Sequence, residues 1–171
     1  MANGVFCVGV NLLFGKKIRV ANLLPAIVAA VAAISQYGAH LLLVDMGTAT
    51  TITAVDASGS VVGGCICPGV KISLDALTDR TALLPGLQLD QPKKAIGRNT
   101  IDGMRSGIMM GTAAMLDGMV ERMEAELGYK TTVVATGGIA KFVLPMCHTP
   151  ILYDKDLLLK GLNIIYKKNK R

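Results

Sequence analysis

Residues 41–51 read Leu41-Leu42-Leu43-Val44-Asp45-Met46-Gly47-Thr48-Ala49-Thr50-Thr51, and the architecture follows from how this run is parsed. Four consecutive aliphatic residues leave no wet face, as expected for a strand at the centre of a sheet. The strand delivers the carboxylate of Asp45 to its C-terminal end. Gly47 then lets the backbone approach a ligand closely. The hydroxyls of Thr48, Thr50 and Thr51, with the turn amides, supply neutral donors. Phosphate oxygens need such a donor cradle, and a cation needs the adjacent carboxylate. The same letters also suit an ordinary hairpin with a Thr-rich turn.

On the C-terminal side, Thr50–Asp56 alternates Thr with Ile, Ala and Val, Ala57-Ser58-Gly59 is a turn, and Ser60–Cys67 is a third strand closed by Pro68-Gly69. These three strands form a meander. On the N-terminal side, Ala26–Tyr37 carries an Ala/Val/Ile pattern that predicts a buried helix ended by Gly38. Lys16, Lys17 and Arg19 before the apolar run Leu23–Ile34 imitate a secretory signal. The run contains Pro25 and is too short to span a membrane, so the buried helix is preferred. Residues 1–22 show no sustained period.

The second half turns helical. Val70–Thr81 predicts a helix, ending before the loop Leu84-Pro85-Gly86. Asn99 or Thr100 caps a long helix reaching Leu127, with Asp102 well placed in its first turn. Ile101, Met104, Ile108, Met115, Met119, Met123 and Leu127 recur at helical spacing and predict its buried face, the methionines acting as core filler. Gly103, Gly107 and Gly111 recur every four residues; with Asp102 and Arg105 alongside, close packing on another element is expected, not a membrane dimer motif. Thr131–Thr136 is a strand, Ile139–Pro145 a short helix, Ile151–Tyr153 an edge strand and Asp156–Lys168 a final amphipathic helix. This order fits a ribonuclease H-like α/β fold, a mixed sheet flanked by helices, with no internal repeat or linker.

Composition narrows the function. The 171 residues are 51% hydrophobic and 18% charged, a globular balance with room for one core. With no Trp and 4% aromatics, that core is built from aliphatics and the nine Met. The net charge is +6, but six of the basic residues fall between Lys155 and Arg171, where they complement a helix C-terminus. Without interleaved aromatics or a second basic face, no nucleic-acid partner is expected. Cys7, Cys65, Cys67 and Cys147 lack metal-ligand spacing, so zinc is not expected. Cys65 and Cys67 point to the same face of a strand and are read as reduced. His40 and His148 have no acid or nucleophile partner at a recognisable spacing and are read as surface or loop residues. Asp154 and Asp156 are read as starting the last helix, Asp56 and Asp75 as turn or surface acids.

A second glycine pair, Ala135-Thr136-Gly137-Gly138, sits where a strand meets a helix. It leaves room for a flat ring or a phosphate, and the helix start beyond it offers free amides. A strand-Asp-x-Gly-Thr hairpin followed much later by strand-Thr-Gly-Gly is the layout of the actin-like ATPases. Added to these are Gly63-Gly64-Cys65-Ile66-Cys67-Pro68-Gly69, Gly97-Arg98-Asn99-Thr100, and Leu159-Lys160-Gly161-Leu162 with Ile165-Tyr166. In this order, from about Ala26 to Asn169, the chain resembles type III pantothenate kinase. The resemblance implies ATP-dependent phosphorylation of pantothenate, the first committed step of coenzyme A synthesis, by cytoplasmic homodimers. These use Mg2+ with ATP and a monovalent cation, K+ or NH4+. By motif it implies Asp45 as the cation ligand, Gly47, Thr48 and Gly137 as ATP contacts and Thr100 as a pantothenate contact. Helix capping is the plain alternative for Thr100, and the two are compatible.

The chain departs from that family in two places. The family opens with a domain carrying an Asp-x-Gly-Asn-Thr phosphate loop, absent here, so residues 1–25 are read as a divergent or truncated remnant and 26–171 as the C-terminal kinase domain. The family also places its general-base Asp just before the helix matching Ile27–Tyr37; gap-free alignment puts Pro25 there, while the faint resemblance of Ile18–Asn22 to the segment upstream suits a short deletion at Asn22/Leu23 as the alternative. Losing a general base costs about 10²–10⁴ in rate. Little or no kinase activity is therefore expected of this chain. The alternatives are a non-catalytic regulatory protein on the same scaffold, or an ATP-binding module whose partner domain is a separate chain.

Overall fold

The computed structural model describes residues 24–79 and 90–170. The expectations for residues 1–22 and for the loop at Leu84-Pro85-Gly86 lie outside them. The elements are α1 (Leu24–Tyr37), β1 (Leu41–Met46), β2 (Ala49–Val55), β3 (Val61–Pro68), α2 (Val70–Asp79), α3 (Thr100–Leu127), β4 (Thr132–Thr136), α4 (Ala140–Val143) with a 3-10 turn at Leu144–Met146, β5 (Ile151–Tyr153) and α5 (Leu157–Asn169).

The sheet order is β3-β2-β1-β4-β5. The meander is antiparallel, with Leu41 opposite Val55 and Val44 opposite Ile52. β4 and β5 then add in parallel on the other side of β1. β1 is thus the central strand, and Leu41 to Val44 are buried on both faces. Each such side chain contributes about 1.5–3 kcal/mol of transfer free energy. Successive residues alternate faces. Leu42, Val44, Met46, Ile52 and Ala135 meet α3 and its neighbours, while Leu41, Leu43, Val55 and Val134 meet α1 and α5.

Helix α1 is made of small residues where it must be thin. Ala29, Ala30, Ala32 and Ala33 are buried against the sheet. A Cβ on Gly161 of α5 would collide with the carbonyl of Val28, so the glycine permits the α1–α5 crossing. Asp154, at the end of β5, ties the layer together. It is 7% exposed, binds Lys160 Nζ at 2.6 Å, and accepts from the Asp156 amide at 3.1 Å and the Tyr37 hydroxyl at 3.4 Å. Burial works to raise the pKa of Asp154, and these bonds outweigh it and hold the carboxyl below its ordinary range. Its part goes beyond starting the last helix. Asp56 does what was expected, accepting from the amides of Ser58 and Ser60 in the β2–β3 turn.

Helix α3 begins at Thr100, and Asn99 is its cap: the side-chain carbonyl accepts from the Asp102 amide at 2.9 Å. It ends at Gly128, whose φ of 79° suits a left-handed cap. Two expectations for α3 need correction. Met104 and Ile108 are buried as expected, but beyond them the buried line runs Met109, Ala113, Leu116, Val120, Glu124, with Met115, Met119, Met123 and Leu127 on its flank, and Ile101 is 40% exposed. The line is shifted by one residue because Glu124 sits inward, its carboxylate satisfied by Lys130 at 2.7 Å and the Thr131 amide at 2.8 Å. Nor do Gly103, Gly107 and Gly111 receive another element: all three are exposed, and a Cβ on each would meet nothing within 4 Å. Close glycine packing occurs instead at Gly97, which lies on the backbone of Asp102 and Gly103.

Candidate functional site

Asp45 leaves the core one residue before β1 ends. Its register partners are Thr51 on β2 and Thr136 on β4. Paired residues share a face, so the carboxylate stands in a row between two threonines at one end of the sheet. Burial raises the pKa of Asp45, and among the described residues no basic side chain is paired with it to offset that cost. A half-buried carboxylate without a countercharge suits a cation.

The turn that follows is small and open. Gly47 and Thr48 are exposed, and the Gly47 amide donates to the Ala49 carbonyl at 3.1 Å. Two other glycines press on the turn. Gly69, just past β3, would drive a Cβ into the Thr48 carbonyl and to 3.0 Å from the Gly47 oxygen. Gly137, just past β4, has φ of 104°; its Cβ would overlap the Met46 carbonyl oxygen and lie 2.7 Å from the carbonyl carbon. The turn is therefore held between two backbone passes that only glycine allows. Tyr153 donates to the Gly137 carbonyl at 3.2 Å and steadies the second pass. Gly138 is exposed with open space around it. Helix α4 beyond it has four residues and no side-chain cap, so a helix dipole adds little here. Thr50, expected in the cradle, is instead buried on the opposite face of β2; glycine backbone with the Thr48 and Thr51 hydroxyls makes up the cradle, which fits a phosphate chain beside a cation.

The structure gathers Asp45, Gly47, Thr48 and Gly137 at one end of the sheet; sequence reading quotes Thr136 only as part of the Thr-Gly-Gly turn and gives neither it nor Tyr153 a role. The register of a parallel pair has no local signature, so Thr136 could be found only through its place beside Gly137. Thr100 lies elsewhere. It is exposed at the start of α3, and since Asn99 does the capping its hydroxyl is not needed for that. Thr100 stands about 10 Å along the helix axis from Gly107, which borders Pro68 in a groove between α2 and α3. Beside this helix start, Lys93, Lys94, Arg98 and Arg105, with Asp90 and Asp102, line a cavity of about 480 Å³. Pro25 is exposed in the first turn of α1, a position where the lack of an amide hydrogen costs nothing.

Solved structures share this arrangement of elements. One described as a conserved Baf family transcriptional activator from Campylobacter jejuni superposes with a TM-score of 0.59 at 23% identity, covering 84% of this chain and 64% of that one. The activator of 2-hydroxyisocaproyl-CoA dehydratase from Clostridium difficile, solved with bound ADPNP, gives 0.54 at 11% identity, covering 85% and 67%. Both likenesses concern the fold.

Sequence relatives are nearer. Type III pantothenate kinases from Myxococcus xanthus and Halalkalibacterium halodurans are each 46% identical over 143 residues, covering 84% of this chain and 56% of theirs. The enzyme of that name from Thermomicrobium roseum is 40% identical over 142 residues, covering 83% and 55%. The chain thus spans about half the length of the curated relatives it matches. Residues 26–122 match the family described as Type III pantothenate kinase. With the hairpin turn, both glycine passes and the sheet order in place around that match, the chain belongs to the type III pantothenate kinase family.

Proposed function

We propose that the Asp45–Thr51 turn and Gly137 form one wall of an ATP site in a protein that phosphorylates pantothenate. The observation that carries this reading is the turn clamped between Gly69 and Gly137, with Asp45 in register between Thr51 and Thr136. Thr48 and the turn amides would take phosphate oxygens, with Mg2+ on the nucleotide. The Asp45 carboxylate would hold K+ or NH4+, and Gly137 would leave room for the rest of the nucleotide. When bound, ATP supplies the γ-phosphoryl group for the pantothenate hydroxyl. Thr100 would donate to pantothenate from the start of α3, where unpaired amides favour a carboxylate. The functional domain runs from 26 to 171, and the protein works as a cytoplasmic homodimer.

The acceptor hydroxyl must lose its proton, and Pro25, at the aligned position of the family's base, has no group to take it. This exposed proline favours a second reading, nucleotide binding with little turnover. One experiment addresses both. Titration of the protein with ATP and Mg2+ in potassium buffer should raise its melting temperature, with slow or undetectable phosphopantothenate formation. An unchanged melting temperature would remove the nucleotide site; brisk turnover would remove the second reading.

A further inference from the structure

Cys65 and Cys67 stand two residues apart on β3, so their side chains project to one face. That face packs on α2 and α3. Both thiols are free and half-buried. They interact with each other: after burial, the charge of Cys67 and a thiol–thiol hydrogen bond push the Cys65 pKa up. Directly across from Cys67 is Thr50, 1% exposed, whose hydroxyl has no hydrogen-bond partner among the described residues. Cys67 also lines a groove of about 560 Å³ between α2 and α3, bordered by Gly107 and Gly111. A small ion reaches the sulfur through that groove.

Among the described residues no group of three His, Cys, Asp or Glu is placed to hold a metal. Tetrahedral zinc needs four ligands, and hard cations need a cage of oxygens. What two sulfurs satisfy is a soft cation. We propose that Cys65 and Cys67 chelate one thiophilic cation, of the class of Cu(I), Ag(I) and Hg(II), on the core side of β3. Each thiol gives its proton to solvent, two metal–sulfur bonds form, and no electron changes hands. A disulfide is the weaker use of this pair: residues two apart on a strand are about 6.6–6.8 Å apart at Cα, the outer limit for an S–S bond. Burial that raises the Cys65 pKa also makes that thiol slow toward oxidants, whereas a bound metal displaces the proton outright. The unpaired Thr50 hydroxyl adds a weak oxygen donor facing Cys67.

The test does not involve nucleotide, so its result is independent of the kinase reading. Protein with Cys7→Ser and Cys147→Ser is titrated with mercury(II) chloride twice, without added thiol to count ions and protons, and against a fixed excess of 2-mercaptoethanol to read affinity. The expected result is one ion per chain, two protons released per ion, and an ultraviolet sulfur-to-metal charge-transfer band. Adding Cys65→Ser or Cys67→Ser should each weaken binding about 100-fold or more, because the second sulfur acts as an intramolecular ligand. Retention of affinity within a few-fold in either variant would overturn the chelate. So would two ions per chain with a single proton each. Should a serine variant fail to fold by circular dichroism, the stoichiometry and proton count of the two-cysteine protein decide alone.

Discussion

Substituting Gly137 with alanine isolates the contact on which the candidate site is built. The added methyl would overlap the Met46 carbonyl oxygen and lie 2.7 Å from its carbon and 3.0 Å from its nitrogen. All three are backbone atoms of the central strand, so no side chain can swing aside. A non-glycine residue at φ of 104° also carries strain of about 1–3 kcal/mol, and overpacking a rigid site costs about 1–3 kcal/mol more. A loss of about 3 kcal/mol is expected, which for a domain of this size lowers the melting temperature by about 6–12 °C. Gly138→Ala is the internal control, since a methyl there meets open space and its φ is not positive. Urea denaturation of both variants, with nucleotide titration of the folded fraction, makes the measurement. If Gly137→Ala matched Gly138→Ala within 0.5 kcal/mol or so, the close pass of the β4 turn over Met46 would not exist in solution, and the cradle would lose its second side.

Other outcomes follow from groups already described. Asp45→Asn removes a carboxylate whose burial is uncompensated; it should leave urea stability equal or higher while abolishing potassium-dependent protection by ATP, read by thermal shift with and without K+. Asp154, Glu124 and Asp117 all have folded pKa values held below their ordinary ones. The unfolded chain then binds more protons, so the stability they contribute is complete above about pH 4.5 and is lost as pH falls through the folded values; Glu124→Gln should flatten that acid limb in a pH series of urea melts. Asn99→Ala removes the α3 cap and should cost about 1 kcal/mol, whereas Thr100→Ala should change stability little and alter only pantothenate binding, which calorimetry separates.

Much of this was legible because local chemistry agreed with the tertiary outcome. The apolar run before Asp45, the Ala57-Ser58-Gly59 turn and the Pro68-Gly69 stop set three strands that differ from their expected bounds by a residue at most. The start of α3 at Asn99 and its end at Leu127 were legible in the same way. Where reading failed, two faces of one helix competed. The methionine row of α3 is as periodic as the buried row beside it, and the inward place of Glu124, whose partners Lys130 and Thr131 lie past the helix, has no signal within the helix itself. The glycine row was misread because spacing tells that a backbone is bare, not that anything approaches it. Gly161 and Gly137, which belong to no periodic row, make the close passes. The site followed the same division: Asp45 and Thr48 are local, but the Asp45–Thr136 pairing joins distant segments.

That pairing shapes how the chain is made. Leu41 meets Thr132, about 90 residues further along, which takes a ribosome about 5–18 s to synthesise. Through that interval β1 is paired with β2 on one side only, and its other row of amides and carbonyls, flanked by Leu41, Leu42 and Leu43, stays open to stray strands. Closing so long a loop is slow even after release. The nascent chain thus passes through a sticky half-sheet, and its yield in the cell should depend more on chaperone supply during translation than on the final stability of the folded domain.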